Sequence, residues 1–255
     1  MKKKIFYFSE QDKVVNFKIK KKKIDKNYCY IHKNIFYKFF AWLSFYFFAL
    51  PIGFIYTKLI KQVKFKNKKV LKIVKTSFFV YANHTQHFLD GTNPALICFP
   101  KKPNIVVNSD NVFMPVLGKM VRMWGAVPLP DTISATKNFL ECLSYSTSKN
   151  QPIIIYPEAN LWPFYTNIRK FSDSAFRYPA EFNVPIFTFT TTYHKRKLRK
   201  TPKIIVFIDG PFYADQNLTL NQKKQELKNF AYNQMLKRAK LNTCEFIKYE
   251  RRSND

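Results

Sequence analysis

The chain is poor in glycine, in acidic residues and in cysteine. Only 5 of its 255 residues are glycine, and 16 acidic residues stand against 44 lysines and arginines, for a formal net charge of +28. The 4 cysteines are scattered with no Cys-x-x-Cys pair, which favours reduced, unpaired thiols in a reducing compartment. A cationic surface attracts phosphate, on nucleic acid or on anionic lipid headgroups, although AT-rich coding would also raise the lysine content. The charge therefore indicates an anionic partner but does not distinguish nucleic acid from lipid headgroups.

The sequence does not predict a cleavable secretory signal. The N-terminus is basic, but no apolar stretch follows it until about Ile35, and no small-residue cleavage site comes after that stretch. Residues 1–34 carry many lysines and are interpreted as a solvated basic arm. The length suits one large α/β domain better than two small ones, and we place this domain at 61–255.

One stretch, 39–56, resembles a membrane segment because it is apolar and uncharged. It lies at the lower margin of the about 20 residues that a spanning helix needs. Pro51 and Gly53 predict a break about two-thirds of the way along it, and its aromatic residues are spread over its length. We predict a membrane-associated helical segment over 35–60 that is kinked and dips into one leaflet. A single span is the second interpretation, and a buried soluble helix is the third.

Apolar runs alternate with segments of helical spacing in the rest of the chain. The predicted strands are 76–81, 104–108, 153–156, 184–192 and 204–208. The predicted helices are 90–99, 112–124, 132–146, 172–182 and 222–240. This alternation predicts an α/β fold, a single domain with a largely parallel central sheet flanked by helices.

Polar clusters follow three of the predicted strands, at 83–90, 108–111 and 158–160. The carboxyl ends of parallel strands lie along one edge of a sheet, so His84, Asp90 and Glu158 are expected to converge there. A histidine with a carboxylate six residues on has the parts of a general base and its orienting partner. The alternative is a surface histidine in a turn, with Asp90 capping the following helix.

Four blocks of this sequence, in this order, resemble those of the glycerolipid acyltransferase family, whose best-known member is 1-acylglycerol-3-phosphate acyltransferase. They are Asn83-His84 with Asp90, then Asp110, Pro115, Gly118 and Gly125-Ala126, then Tyr156-Pro157-Glu158-Ala159, and finally Val184-Pro185-Ile186. The resemblance runs over roughly residues 78–193. The ordered set is specific, whereas any single block would be weak.

The resemblance implies an O-acyltransferase in which His84 removes the proton of an acceptor hydroxyl and Asp90 holds the imidazole. Asn83 is expected to contact substrate, and Glu158 is expected to bind the acceptor hydroxyls or to fix its loop. The acyl group would come from a thioester of coenzyme A or acyl carrier protein, used as co-substrate, with no further cofactor and no metal. The acceptor would be a lysophospholipid such as 1-acylglycerol 3-phosphate, in phospholipid synthesis.

The sequence departs from the family's pattern at the first and third blocks. Five residues separate His84 from Asp90 where the family has four, so the pair can meet only if His84 precedes the helix or the turn bulges. Ala159 stands where the family has glycine. His87 is a weaker alternative to His84 as the base. A zinc site built on these two histidines and Asp90 lacks a further strong ligand.

The family's basic residues for the acceptor phosphate are also not matched. Three cations nearby in the sequence are expected to supply that charge instead, with arginine the better phosphate clamp. They are Arg122, Arg169 and Lys170.

Three classes of function fit these observations. The first is a membrane-associated acyltransferase at the cytoplasmic face of the cell membrane, with membrane lipid as partner and the basic run 195–200 on headgroups. The second is a basic nucleic-acid-binding protein, but no RNP-type motif, zinc finger or helix-turn-helix supports it, and no nucleic acid is expected as partner. The third is a scaffold with an inactive acyltransferase fold.

Overall fold

The computed structural model describes residues 3–15, 22–197 and 199–252. Its main sheet has seven strands in the order β2-β8-β7-β3-β6-β4-β5, within the residues that are described. These strands are β2 (Lys64–Lys66), β3 (Phe79–Ala82), β4 (Asn104–Val107), β5 (Ala126–Pro128), β6 (Ile153–Ile155), β7 (Ile186–His194) and β8 (Lys203–Phe212). Strands β7, β3, β6, β4 and β5 are parallel to one another. Strand β8 pairs antiparallel with β7, and β2 pairs parallel with β8. The predicted α/β class with a largely parallel sheet is confirmed.

The central strand β3 is buried on both faces. Phe79 and Tyr81 lie in one hydrophobic cluster, and Val80 and Ala82 lie in the other, as the alternation of side chains along a strand requires. This double burial explains the continuous apolar run in the sequence, because helices cover both sides of a parallel sheet.

The helices that cover the sheet begin and end close to the predicted positions, with one exception. They are α3 (Leu89–Cys98), α4 (Ser109–Val112), α5 (Leu117–Met123), α6 (Ile133–Ser148), α7 (Arg177–Phe182) and α8 (Leu220–Ala239), with 3₁₀ turns at Lys68–Ile73 and Ser174–Phe176. The exception is the predicted helix 112–124, which is divided into α4 and α5. Pro115 disfavours a helical residue before it, and Val116 has φ of 59°. The chain then turns so tightly that a Cβ on Gly118 would lie 2.4 Å from the Val112 carbonyl oxygen.

The apolar segment forms one continuous helix, Ile35–Ile60. It consists of α1 (Ile35–Ser44), a π-helical stretch (Phe45–Ala49), α2 (Leu50–Phe54) and a second π-helical stretch (Ile55–Ile60). The predicted break at Pro51 is wrong. The π-helical stretch places Pro51 in the first turn of α2, where its missing N–H costs no hydrogen bond.

This N-terminal helix packs one side against the domain. Its buried residues are Ala41, Phe45, Gly53 and Thr57. Thr57 Oγ1 lies 2.9 Å from Thr92 Oγ1 of α3, and Gly53 faces the same threonine. In the described part of the chain it is the one helix long and apolar enough to cross a membrane, judged by length and composition.

The described residues near the N-terminus are packed against the domain, where the sequence predicted a solvated arm. Strand β1 (Lys3–Tyr7) pairs in parallel with β9 (Ile247–Arg251) in a separate two-stranded sheet. Ile24 is buried, and its backbone N–H donates to Asp131 Oδ2 at 2.8 Å. Long-range pairing with the C-terminal strand orders a segment that the sequence marks only weakly as a strand.

The basic residues 195–197 and 199–200 lie in the turn between β7 and β8, at the same edge of the sheet as the carboxyl end of β3. Arg196 donates hydrogen bonds to Gln62 Oε1 at 2.8 Å and to the Lys61 carbonyl at 3.1 Å. The turn is therefore joined to the end of the N-terminal helix.

Candidate active site

The turn after β3 is anchored to the neighbouring strand by Asn83. Its side-chain amide donates to the Thr191 carbonyl at 3.0 Å, and its Oδ1 accepts from the Thr191 N–H at 2.8 Å. Asn83 is buried. The sequence predicted a substrate contact for this residue, but the structure uses both ends of its amide on the backbone of β7.

His84 and Asp90 meet across this turn. His84 Nδ1 lies 2.7 Å from Asp90 Oδ2, and the same oxygen accepts the Gln86 backbone N–H at 2.9 Å. Asp90 is the second residue of α3, whereas His84 precedes the helix, which is the arrangement that the longer spacing requires. Burial raises the pKa of the Asp90 carboxyl, and the hydrogen bonds from His84 and the backbone oppose that rise.

The pairing decides which ring nitrogen of His84 is available. The Asp90 carboxylate can only accept a hydrogen bond, so Nδ1 of His84 donates it. The neutral ring therefore carries its proton on Nδ1 and a lone pair on Nε2. Within the described residues no hydrogen bond is made to Nε2, and a quarter of the side chain is exposed against 6% for Asp90. This arrangement suits a general base that faces an incoming hydroxyl.

Two tyrosines for which the sequence predicted no role support the turn. The Tyr156 hydroxyl donates to the Asp90 carbonyl, and the Tyr156 ring lies 4.7 Å from that of His84. The Tyr193 hydroxyl donates to Thr85 Oγ1 at 2.7 Å and accepts from Gln86 Nε2 at 2.9 Å. Tyr156 belongs to the third of the four sequence blocks, but its contacts with Asp90 and His84 depend on tertiary structure, which spacing along the chain does not show.

Glu158 lies behind His84, in a buried ion pair with Arg169. Glu158 Oε2 accepts the His84 backbone N–H and the Arg169 guanidinium, each at 3.2 Å, and Oε1 accepts the Arg169 backbone N–H at 3.0 Å. The Glu158 and Arg169 side chains are 0% and 1% exposed. Burial raises the pKa of the Glu158 carboxyl, and the charge of Arg169 opposes that rise.

The three cations that were predicted to bind the acceptor phosphate do not converge on His84. Arg169, expected to bind phosphate, has its guanidinium buried on protein acceptors. Arg122 lies on α5, which packs against α1. Burial raises the pKa of Tyr28 and Tyr37, and the positive charge of Arg122 opposes that larger rise. The Lys170 side chain is exposed, while its backbone N–H donates to Glu10 Oε2 at 3.0 Å. His87 is exposed in the same turn as His84, and the partial burial of its ring lowers its pKa.

Ala159, which follows Glu158, has φ of 61°. This left-handed conformation favours glycine, the residue that the family has at this position, because a Cβ is crowded there. The substitution therefore leaves the turn intact and adds local strain.

A family model for acyltransferases, described as Acyltransferase, matches residues 62–192, slightly more than half of the chain. The chain belongs to the acyltransferase family. The match includes His84, Asp90, Glu158 and Arg169, and it favours an enzyme fold over the nucleic-acid-binding alternative. No curated protein sequence matches this acyltransferase.

The fold of this acyltransferase is similar to a crystal structure of the 1-acyl-sn-glycerophosphate (LPA) acyltransferase PlsC from Thermotoga maritima. The TM-score is 0.53 at 15% sequence identity, and the match covers 82% of this chain and 90% of the other. At that identity the similarity establishes the fold. The N-terminal helix, β1 and β9 lie outside the segment matched by the family model.

Proposed function

We propose that this acyltransferase moves a fatty acyl group from a thioester of coenzyme A or acyl carrier protein to a hydroxyl of a lysophospholipid such as 1-acylglycerol 3-phosphate, in phospholipid synthesis. The observation that supports the proposal most strongly is the His84–Asp90 contact of 2.7 Å at the carboxyl edge of the sheet. The order of the sequence blocks and the PlsC-like fold support the choice of substrate class.

In the proposed reaction, the Nε2 lone pair of His84 takes the proton of the acceptor hydroxyl as the hydroxyl oxygen bonds to the thioester carbon. The carbonyl π electrons move to oxygen and form a tetrahedral oxyanion. Its collapse breaks the C–S bond, and the leaving thiolate takes the proton from the His84 imidazolium. The products are an ester and a free thiol, and His84 is neutral again.

Asp90 contributes by holding His84 in the required tautomer and by stabilising the imidazolium that forms. Glu158 does not take part in proton transfer in this scheme, because its carboxylate is buried and occupied by His84 N–H and Arg169. General base catalysis of this kind contributes roughly 10²–10⁴-fold in rate.

The N-terminal helix supports a monotopic position at the membrane. Its buried residues pack against the domain, so that side is not available to lipid, whereas a lone spanning helix is surrounded by lipid. The large exposed apolar residues of the helix are Ile35, Phe36, Phe39, Phe40, Trp42, Phe47, Phe48, Ile52, Phe54, Ile55, Leu59 and Ile60.

The helix also brings the proposed membrane surface to the catalytic turn. The Tyr56 ring lies 6.0 Å from that of Phe88, which is 72% exposed and lies in the turn that carries His84. The basic turn around Arg196 adjoins the same end of the helix and suits anionic headgroups. These contacts support a position on the membrane surface, where the enzyme can take its acceptor from the lipid, and we propose the cytoplasmic face of the cell membrane.

The activity is tested by incubating purified protein with acyl-coenzyme A or acyl carrier protein donors and a panel of lysolipids, with products read by mass spectrometry. We expect a new ester with at least one lysophospholipid. His84→Ala should stay folded and lose turnover by about 10²–10⁴-fold, whereas His87→Ala, in the same turn, should keep it. Turnover that survives His84→Ala would remove His84 from the proposed role, and an inactive but folded wild type would favour the scaffold.

Membrane association is tested by sedimentation with vesicles that contain or lack anionic lipid. Phe47→Asp and Phe48→Asp, on the outer side of the helix, should reduce binding to both kinds of vesicle. Leu241→Asp changes an exposed apolar residue elsewhere and serves as the control. Equal binding by all variants would exclude the helix as the membrane contact.

A further inference from the structure

The two ends of the described chain close over the loop that carries Glu158. Strand β1 pairs in parallel with β9, with Ile5 opposite Tyr249. We call residues 3–12 together with β9 the terminal clasp. It lies outside the segment that the acyltransferase family model matches.

The clasp holds the loop through backbone acceptors and aromatic contacts. Trp162 Nε1 donates to the Asp12 carbonyl at 2.9 Å, and Asn160 Nδ2 donates to the Gln11 carbonyl at 2.7 Å. Trp162 is fully buried, with its ring stacked on Tyr249 at 5.1 Å and edge-on to Tyr7 at 4.8 Å.

Arg169 connects the clasp to Glu158. Its NH1 group donates to the Glu10 carbonyl at 3.1 Å, and its NH2 group donates to Glu158 Oε2 and to the Asn160 carbonyl. The Glu10 carboxylate accepts the backbone N–H of Lys170 at 3.0 Å, which fixes the chain beside Arg169. A buried guanidinium with these acceptors is committed to protein contacts, so an acceptor phosphate would have to displace them.

The loop in turn holds the backbone of His84 on both sides. Glu158 Oε2 accepts the His84 N–H at 3.2 Å, and the Trp162 N–H donates to the His84 carbonyl at 3.0 Å. The Phe164 N–H continues this pairing to the Thr85 carbonyl at 3.0 Å. The loop thus fixes the backbone of His84, and the clasp and Arg169 in turn fix the loop.

We propose that the terminal clasp and Arg169 position His84 for catalysis, and that Arg169 is a positioning residue and not a ligand of the acceptor phosphate. The proposal rests on the proposed acyl transfer by His84. Displacement of a reacting group by about 1 Å can cost about 100-fold in rate, so a loop that fixes the His84 peptide controls kcat.

The proposal is tested in the full-length protein by separating kcat from KM for a phosphate-bearing lysolipid. Arg169→Lys keeps the charge but cannot reach the Glu10, Asn160 and Glu158 oxygens together. We expect kcat to fall about 10-fold or more, with KM changed less than about twofold. A phosphate ligand would behave in the opposite way, with a raised KM and little change in kcat, and that result would overturn the proposal.

Two milder variants keep the test valid if Arg169→Lys does not fold. Trp162→Phe removes the donor to Asp12 and keeps an aromatic ring on Tyr249. Glu10→Ala removes the acceptor of the Lys170 N–H, whereas Glu10→Gln retains an acceptor oxygen. We expect Trp162→Phe and Glu10→Ala to lower kcat several-fold at constant KM, and Glu10→Gln to restore it.

Arg177→Ala is the control, because Arg177 lies on α7, outside the clasp, and its ion pair with Glu181 is on the surface. It should leave kcat and KM unchanged. If the wild type is active and the Trp162→Phe and Glu10→Ala variants have the same kcat, the clasp proposal alone is overturned. A wild type that acylates no lysolipid would instead reject the proposed function.

Discussion

Asp90 reaches His84 Nδ1 at 2.7 Å although five residues separate them, one more than the family's pattern has. The contact forms because the turn contracts. The Gln86 N–H donates to Asp90 Oδ2, and the Asp90 N–H donates to the Gln86 carbonyl at 3.3 Å. The extra residue is therefore taken up before α3 begins, and the two side chains still face each other.

Asp90→Asn should separate activity from stability. The amide keeps an acceptor for the Gln86 N–H but cannot stabilise an imidazolium as a carboxylate does, so kcat should fall by roughly 10²–10⁴-fold. Unfolding at neutral pH should not become easier, because the substitution removes a charge that burial disfavours. Enzyme assays and urea unfolding of the same preparation measure both effects.

The pH dependence of that comparison follows from the raised pKa of Asp90. The folded state binds the proton more tightly than the unfolded state, so the unfolding free energy of the wild type falls as pH rises from the ordinary pKa through the raised one. The stability gained by Asp90→Asn should therefore be largest at neutral pH and shrink near pH 4. A constant difference between these pH values would contradict the assignment.

Asn83→Ala should destabilise the protein because the Thr191 N–H and carbonyl would both lose their buried partner. A buried group left without a hydrogen bond costs about 1–3 kcal/mol, so we expect a loss of about 2–4 kcal/mol. Asn108→Ala is the control, since Asn108 is exposed and should change stability by less than about 0.5 kcal/mol. Equal unfolding curves for the two variants would show that Asn83 does not anchor the turn.

Ala159→Gly should stabilise the protein. Relief of the left-handed conformation exceeds the entropy that glycine adds to the unfolded chain, for a net gain of about 0.5–1 kcal/mol. The matched change Ala180→Gly, inside α7, should destabilise by about 1 kcal/mol. Thermal unfolding distinguishes the two, and a loss of stability in Ala159→Gly would contradict the prediction.

Two glycines should respond in opposite ways to added side chains. A Cβ on Gly53 would already lie 3.3 Å from Thr92 Cγ2, so Gly53→Leu should push the N-terminal helix off α3 and cost about 1–3 kcal/mol. No atom lies within 4 Å of a Cβ on Gly91, and Gly91→Ala should raise helix stability by about 0.5–1 kcal/mol. Tolerance of Gly53→Leu would show that the helix is not closely packed there.

The predictions from sequence succeeded where the signal is local. Apolar runs located the buried strands, as at β3 and β6, because burial on both faces demands continuous hydrophobicity. They were wrong where a local change of helix type or a distant contact decides the structure. Pro51 lies within a continuous helix because of a π-helical stretch, and β1 is ordered by pairing with β9.

By itself, the sequence determined the fold class, the order of the strands along the chain and the presence of a histidine and carboxylate after β3, because periodicity and strand-end polarity are properties of neighbouring residues. The sequence also led us to expect that Asp90 holds the imidazole, whereas tertiary structure alone decided that Glu158 is buried behind His84. Tertiary structure also decided that Arg169 pairs with Glu158, because two buried charges can pair only where the folded chain brings them together.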